Sequence, residues 1–155
     1  MRELPESWAT IQLGKLNQFK SKNITPSDYP EQQFELWSVP IFSSGSPEYV
    51  LGQEIGSSKQ LVDFDDVLLC KINPRINRVW HVNRYSDLKQ IASSEWIVVR
   101  SLYHDSRYLK HYFCSSDFRY QLCSDLTGVG GSLTRAQPAR VSEFEIPLPP
   151  LNEQK

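Results

Sequence analysis

The chain has 155 residues, 39% of them hydrophobic and 23% charged, enough for one domain with a modest core and too few for two. Seventeen Lys and Arg against 18 Asp and Glu leave a net charge of -1, which excludes a histone-like polycation and an acidic disordered tail and confines any nucleic-acid site to a local patch. No apolar run approaches the roughly 18 residues of a membrane span, and the opening Met1-Arg2-Glu3-Leu4-Pro5-Glu6 lacks a signal-peptide core, so a soluble, cytoplasmic protein with no membrane partner is predicted.

Strand patterns fill the first two thirds. Phe34 to Val39 alternates, Val67 to Ile72 is a short apolar run, Arg78 to Val82 alternates, and Trp96 to Val99 is again continuous. Turn residues separate them, as in Asn73-Pro74-Arg75, Ser43-Ser44-Gly45-Ser46-Pro47 and Gly56-Ser57-Ser58. Helical spacing comes later: Tyr108, Leu109, Tyr112 and Phe113 follow the N-cap candidates Asp105 and Ser106, and Phe118, Leu122 and Leu126 extend a second helix behind Ser116 that ends before Gly128. These aromatic stripes read as core faces. Phe144 to Pro150 must be extended because Pro bars helix, and Leu151 to Lys155 reads as the opening of a helix, which predicts a piece of a longer chain cut at a domain boundary. The predicted fold is α/β of the α+β kind: a β-rich domain over 1–150 with a twisted mixed or antiparallel sheet, irregular loops and a C-terminal helical pair.

Charge is unevenly spread. From Asp28 to Asp66 there are eight acids and one base, a net -7, whereas Val67 to Lys155 carries 12 bases and eight acids, a net +4. Val67 to Ser86 holds Lys71, Arg75, Arg78 and Arg84 with no acid, and Leu126 to Ser142 holds Arg135 and Arg140 with none. Cations on loops, interleaved with short polar side chains, are what a phosphate backbone and base edges require, since Lys and Arg release counterions while Arg, Asn, Gln and Ser can address bases.

Enzyme patterns fail. Asn73-Pro74-Arg75-Ile76 does not match the N/D-P-P-Y/F loop of an adenine methyltransferase. Asp66 with Asp87-Leu88-Lys89 imitates a nuclease carboxylate pair, yet Asp87 sits in a polar, loop-like stretch. Gly128-Val129-Gly130-Gly131-Ser132 follows a helix and is neither a Walker loop nor a dinucleotide fingerprint. Cys70, Cys114 and Cys123 have no C-x-x-C spacing, His111 and Cys114 lack further metal ligands, and no local feature orients a Cys and His nucleophile pair. A binder without metal or cofactor is predicted.

Several segments resemble a known family. Ile146-Pro147-Leu148-Pro149-Pro150-Leu151-Asn152-Glu153-Gln154 resembles the I-P-x-P-P-L-x-E-Q signature that closes a target recognition domain in the specificity subunits of type I restriction-modification systems. Trp8-Ala9-Thr10-Ile11-Gln12-Leu13-Gly14 is similar to the opening of those domains, and Val67 to Pro74 resembles their central strand and K-I-x-P turn. The resemblance implies a noncatalytic β-rich domain that reads one half of a split target in double-stranded DNA. It further implies that 151–155 begins a spacer helix, and that methyltransferase and restriction subunits are partners wherever the spacer helices are present. Carried onto this sequence, Lys71 and Arg78 are candidates for phosphate positioning, and Asn73, Arg75 and Asn77 for base edges. Ser132, Thr134, Arg135 and Gln137 could reach the duplex from the second loop, and Lys59 and Arg140 complete the cationic candidates. Two alternatives remain open at this point: the recognition domain of a fused methyltransferase and restriction enzyme, and a protein-interaction module that presents Tyr108, Tyr112, Phe113 and Phe118 to a partner.

Overall fold

The computed structural model describes residues 7–102, 104–124, 126–127 and 135–150. Its twelve strands are short, as the frequent Pro and turn residues require: β1 Ala9–Gln12, β2 Asn23–Ile24, β3 Gln33–Trp37, β4 Glu48–Leu51, β5 Lys59–Leu61, β6 Val67–Cys70, β7 Val79–His81, β8 Lys89–Ala92, β9 Trp96–Val99, β10 Leu126–Thr127, β11 Arg135–Ala136 and β12 Glu145–Leu148. Among the described residues four α-helices accompany them: α1 Leu13–Leu16, α2 Ser106–Phe113, α3 Ser116–Ser124 and α4 Pro138–Val141. No helix among the described residues is long and apolar enough to cross a membrane.

Two sheets form the body. One has five strands in the order β2-β5-β8-β3-β4 and is mixed, since β3 runs parallel to β8 while the other pairs are antiparallel. The other is the antiparallel trio β7-β6-β9. The trio is covered on both faces, which explains the unbroken apolar runs at 67–70 and 96–99. Val67, Leu69, Val79 and Val99 pack with Leu109 and Phe113 of α2, Phe118 and Leu122 of α3, and Ile146 of β12. The alternate residues Leu68, Cys70, Trp80, Trp96 and Val98 pack on Trp37 and Ala92 of the larger sheet. Trp37 and Trp80 meet edge to face at 4.6 Å, and the Trp96 indole N–H donates to the Trp37 carbonyl at 3.0 Å.

Phe34 to Val39 alternates in sequence, yet Phe34, Glu35, Leu36 and Trp37 are all buried. Glu35 tolerates this because its carboxylate accepts from the Trp37 indole at 3.2 Å, the Gln90 amide at 2.6 Å and the Ser86 hydroxyl at 3.1 Å, which satisfies a buried charge with donors. The first predicted helix forms as expected, with the Asp105 carboxylate accepting the Arg107 N–H at 2.8 Å. The second ends earlier than its pattern implied: Leu126 belongs to β10, paired with Ala136 of β11, because the ladder supplies backbone partners that a frayed last turn would lack. The chain ends come together as β1 pairs antiparallel with β12, and the Tyr108 hydroxyl donates to the Pro147 carbonyl.

Candidate nucleic-acid interface

Beyond Cys70 the β6 backbone continues between two neighbours. The Lys71 N–H donates to the Glu95 carbonyl at 2.9 Å on the β8–β9 turn, and the Ala136 N–H of β11 donates to the Lys71 carbonyl at 2.9 Å. Ile72 forms an antiparallel bridge with Arg135. Residues 71–72 and 135–136, one pair from each acid-free stretch, therefore share one edge of the fold.

The chain then turns over Asn73 to Asn77. Asn73 adopts a left-handed conformation at φ 45, which Asn accommodates better than most residues, and its carbonyl accepts the Ile76 N–H at 2.9 Å. Pro74 is buried while Arg75 and Ile76 are exposed. Two side chains brace the turn. Arg78 folds inward so that its guanidinium donates to the Ile72 carbonyl at 2.8 Å, and the Asn77 amide donates to the Phe113 carbonyl at the end of α2 at 3.2 Å. The Arg78 Nε is buried without a hydrogen-bond partner. Burial pushes the neighbouring Cys70 thiol upward in pKa despite that cation.

Among the predicted site residues, Lys71, Asn73, Arg75, Asn77, Arg78 and Arg135 are brought together here. Gln137 and Arg140 are exposed on the short segment after β11. Lys59 lies on β5, its ammonium donating to the Ser57 hydroxyl at 2.7 Å; the next residue, Gln60, ties β5 to the β8–β9 turn through the Ser93 and Trp96 carbonyls at 2.9 Å. Ser132, Thr134 and the rest of the glycine-rich loop lie outside the described residues, as does the helix opening at Leu151. Arg84, which shares the first acid-free stretch, is carried away to the opposite end of β7, 3.8 Å from Asp63.

Two residues that the sequence left aside join the edge. Arg119 of α3 donates to the Arg75 carbonyl at 3.4 Å. Burial raises the pKa of the Cys114 thiol, while the charges of Lys110 and Arg119 pull it down. Glu95 pairs through its carboxylate with Arg135 at 2.7 Å. Neither belongs to an acid-free stretch, and only the packing of α3 and of the β8–β9 turn against β6 places them here.

At the other end of β7 is a cleft of about 820 Å³ lined by Asp63, Asp65, Asp66, His81, Arg100 and Asp105 among others. The buried Asp66 carboxylate takes the Arg100 guanidinium in a two-point pair at 2.7 and 2.8 Å, which raises the Arg100 pKa through the hydrogen bond. His81 Nε2 stands 2.8 Å from Asp65 and 3.1 Å from the Ser106 hydroxyl. A nucleophilic triad needs the carboxylate on one ring nitrogen and the hydroxyl on the other; here both share Nε2, so no relay is formed. The four aromatics singled out for a docking face do not form one, since Phe113 and Phe118 are 0% exposed and Tyr108 and Tyr112 pack against the same core. That removes the observation on which a protein-interaction module would rest.

The sequence matches no protein-family model and no curated protein. Its fold is similar to solved structures. The HsdS subunit from Thermoanaerobacter tengcongensis superposes with a TM-score of 0.82 and 26% identity, covering 99% of this chain and 40% of that subunit. A chain from a structure of complex assembly and conformational transition in a type I R-M system gives a TM-score of 0.81 and 25% identity, again covering 99% of this chain and 40% of the other. The chain thus spans about two fifths of the length of these neighbours.

Proposed function

We propose that this chain, which has the fold of a target recognition domain from an HsdS specificity subunit of a type I restriction-modification system, binds double-stranded DNA and reads one half of a bipartite target. The observation that carries the reading is the meeting of the two acid-free stretches: Ile72 bridges Arg135 and the Lys71 carbonyl accepts the Ala136 N–H, so cations 64 positions apart at Lys71 and Arg135 belong to one footprint. Arg75 and Arg119 extend it as phosphate or guanine contacts, with Asn73 suited to adenine. Arg78, engaged with the Ile72 carbonyl, shapes the turn more than it touches phosphate. In this reading the domain performs no chemistry. Methylation and cleavage belong to methyltransferase and restriction subunits, which would dock on spacer helices beginning near 151–155.

Duplex binding measured by fluorescence anisotropy across a salt series tests the reading. The logarithm of the association constant should fall linearly with that of salt, with a slope of about -0.9 per neutralised phosphate, near -3 to -5 for this footprint. Indifference to duplex at low salt would overturn it.

A further inference from the structure

We propose that Glu95 is a positioning residue that sets sequence preference: its carboxylate holds the Arg135 guanidinium in one orientation for a base edge. The proposal rests on the duplex-binding reading and deepens it by naming a specificity determinant. An acid paired with Arg135 and hydrogen-bonded through its carbonyl to the Lys71 N–H repels phosphate, so Glu95 weakens general attraction to DNA. What it supplies instead is order. The Arg135 backbone is clamped on both sides, by Thr127 of β10 and by the Ile72 bridge. Its side chain, 54% exposed, is then held at its far end by the 2.7 Å pair with Glu95, itself only 30% exposed. Glu95 is fixed in turn through its own backbone, whose carbonyl accepts the Lys71 N–H and whose N–H donates to the Ser93 hydroxyl at 3.1 Å. An arginine fixed at both ends loses little rotamer freedom when it meets guanine, so a mismatch is penalised by geometry; a loose arginine would swing to the nearest phosphate. Arg75, on an exposed turn with no ion-pair partner among the described residues, has no such constraint.

The test compares the intact chain with Glu95→Gln, Glu95→Asp and Arg135→Lys on two duplexes, one selected by the parent from a random pool and one of scrambled sequence. With Glu95→Gln, the preference for the selected duplex should fall about tenfold, which is the scale of one lost base contact. Affinity for the scrambled duplex should rise several-fold, and the salt slope should steepen by about 0.9 as Arg135 takes up a phosphate. Arg135→Lys should lose the same preference without the gain in general affinity, and Glu95→Asp should fall between Gln and the parent. A Gln variant that keeps the parent's preference would overturn the proposal, as would an equal loss of affinity for both duplexes accompanied by a lower melting temperature. A parent that binds no duplex would sink the DNA reading itself, an outcome distinct from a parent that discriminates while Glu95→Gln discriminates equally well.

Discussion

The two ends of β7 are built from the same residue types and do opposite things with them. At the His81 end, cations are spent on carboxylates: Arg84 on Asp63, Arg100 on Asp66 and Arg107 on Asp105. At the Asn77 end are Lys71, Arg75, Arg78, Arg119 and Arg135; among the described residues Arg135 forms an ion pair there with Glu95, and two of the other arginines are held by backbone carbonyls. A carbonyl satisfies the donors of a guanidinium without cancelling its charge, whereas a carboxylate does both. The first end therefore adds rigidity and little field, and the second keeps a field that falls off within about a Debye length of 8–10 Å.

The largest expected effect separates stability from binding. Arg100→Met leaves the Asp66 carboxylate, which is 1% exposed, without its cation and with the Asp63 N–H donating to it at 2.8 Å. Breaking such a pair should cost about 3 kcal/mol, the lower end of the range because the Arg100 side chain is one third exposed. Urea unfolding should show it, while duplex affinity of the folded fraction stays at the parent value; a selective loss of binding would break the contrast between the ends.

Next, Arg75→Glu should lower duplex affinity by roughly 10- to 100-fold and flatten the salt slope, whereas Arg84→Glu at the cleft end should change it less than about twofold. Equal effects from the two variants in a binding titration would mean that the field is not localised. Arg78→Met tests whether that residue braces or contacts. Loss of its bond to the Ile72 carbonyl should reduce stability by about 1 kcal/mol with the salt slope unchanged, so a slope shallower by about one charge would make it a phosphate contact instead.

The smallest effect is in pH. Burial lowers the pKa of His104 below its ordinary value of 6.5, and its Nδ1 lies 2.8 Å from the Ser101 hydroxyl. The unfolded chain takes up this proton first, so the contribution is neutral above about pH 7 and stability is lost as pH falls through 6.5 toward the folded value. His104→Gln should shrink the drop in melting temperature between pH 7 and pH 5. A drop of parental size would assign it to other groups, although Asp105 does not lose stability until lower pH: burial raises its pKa, but the Arg107 bonds more than compensate and bring it below 3.8.

The strands at 34–37, 67–70, 79–81 and 96–99 and the helix over 106–113 were legible because their apolar spacing is local. The burial of Glu35 was not, since nothing near it in sequence announces the Gln90 and Ser86 donors that neutralise the cost of burying it. In the candidate site, Lys71, Arg75 and Arg135 were legible as cations in acid-free stretches. Arg119, two residues after Asp117, had no such signal, and nothing in the sequence around Glu95 marked it as a candidate. Arg84 had the signal and went to the other end, because β7 separates it from Arg75.

The amino-acid order by itself determined that the domain is β-rich with a helical pair, that its charge is polarised, and that its ends resemble those of a recognition domain. Each of these depends on neighbours within a few positions or on motifs read directly. Only the tertiary structure decided that residues 71–78 and 135–136 meet at one edge, which cations keep their field, and which acid stands among them. Strand register and helix docking bring together residues tens of positions apart, and electrostatic interaction depends on distance in space.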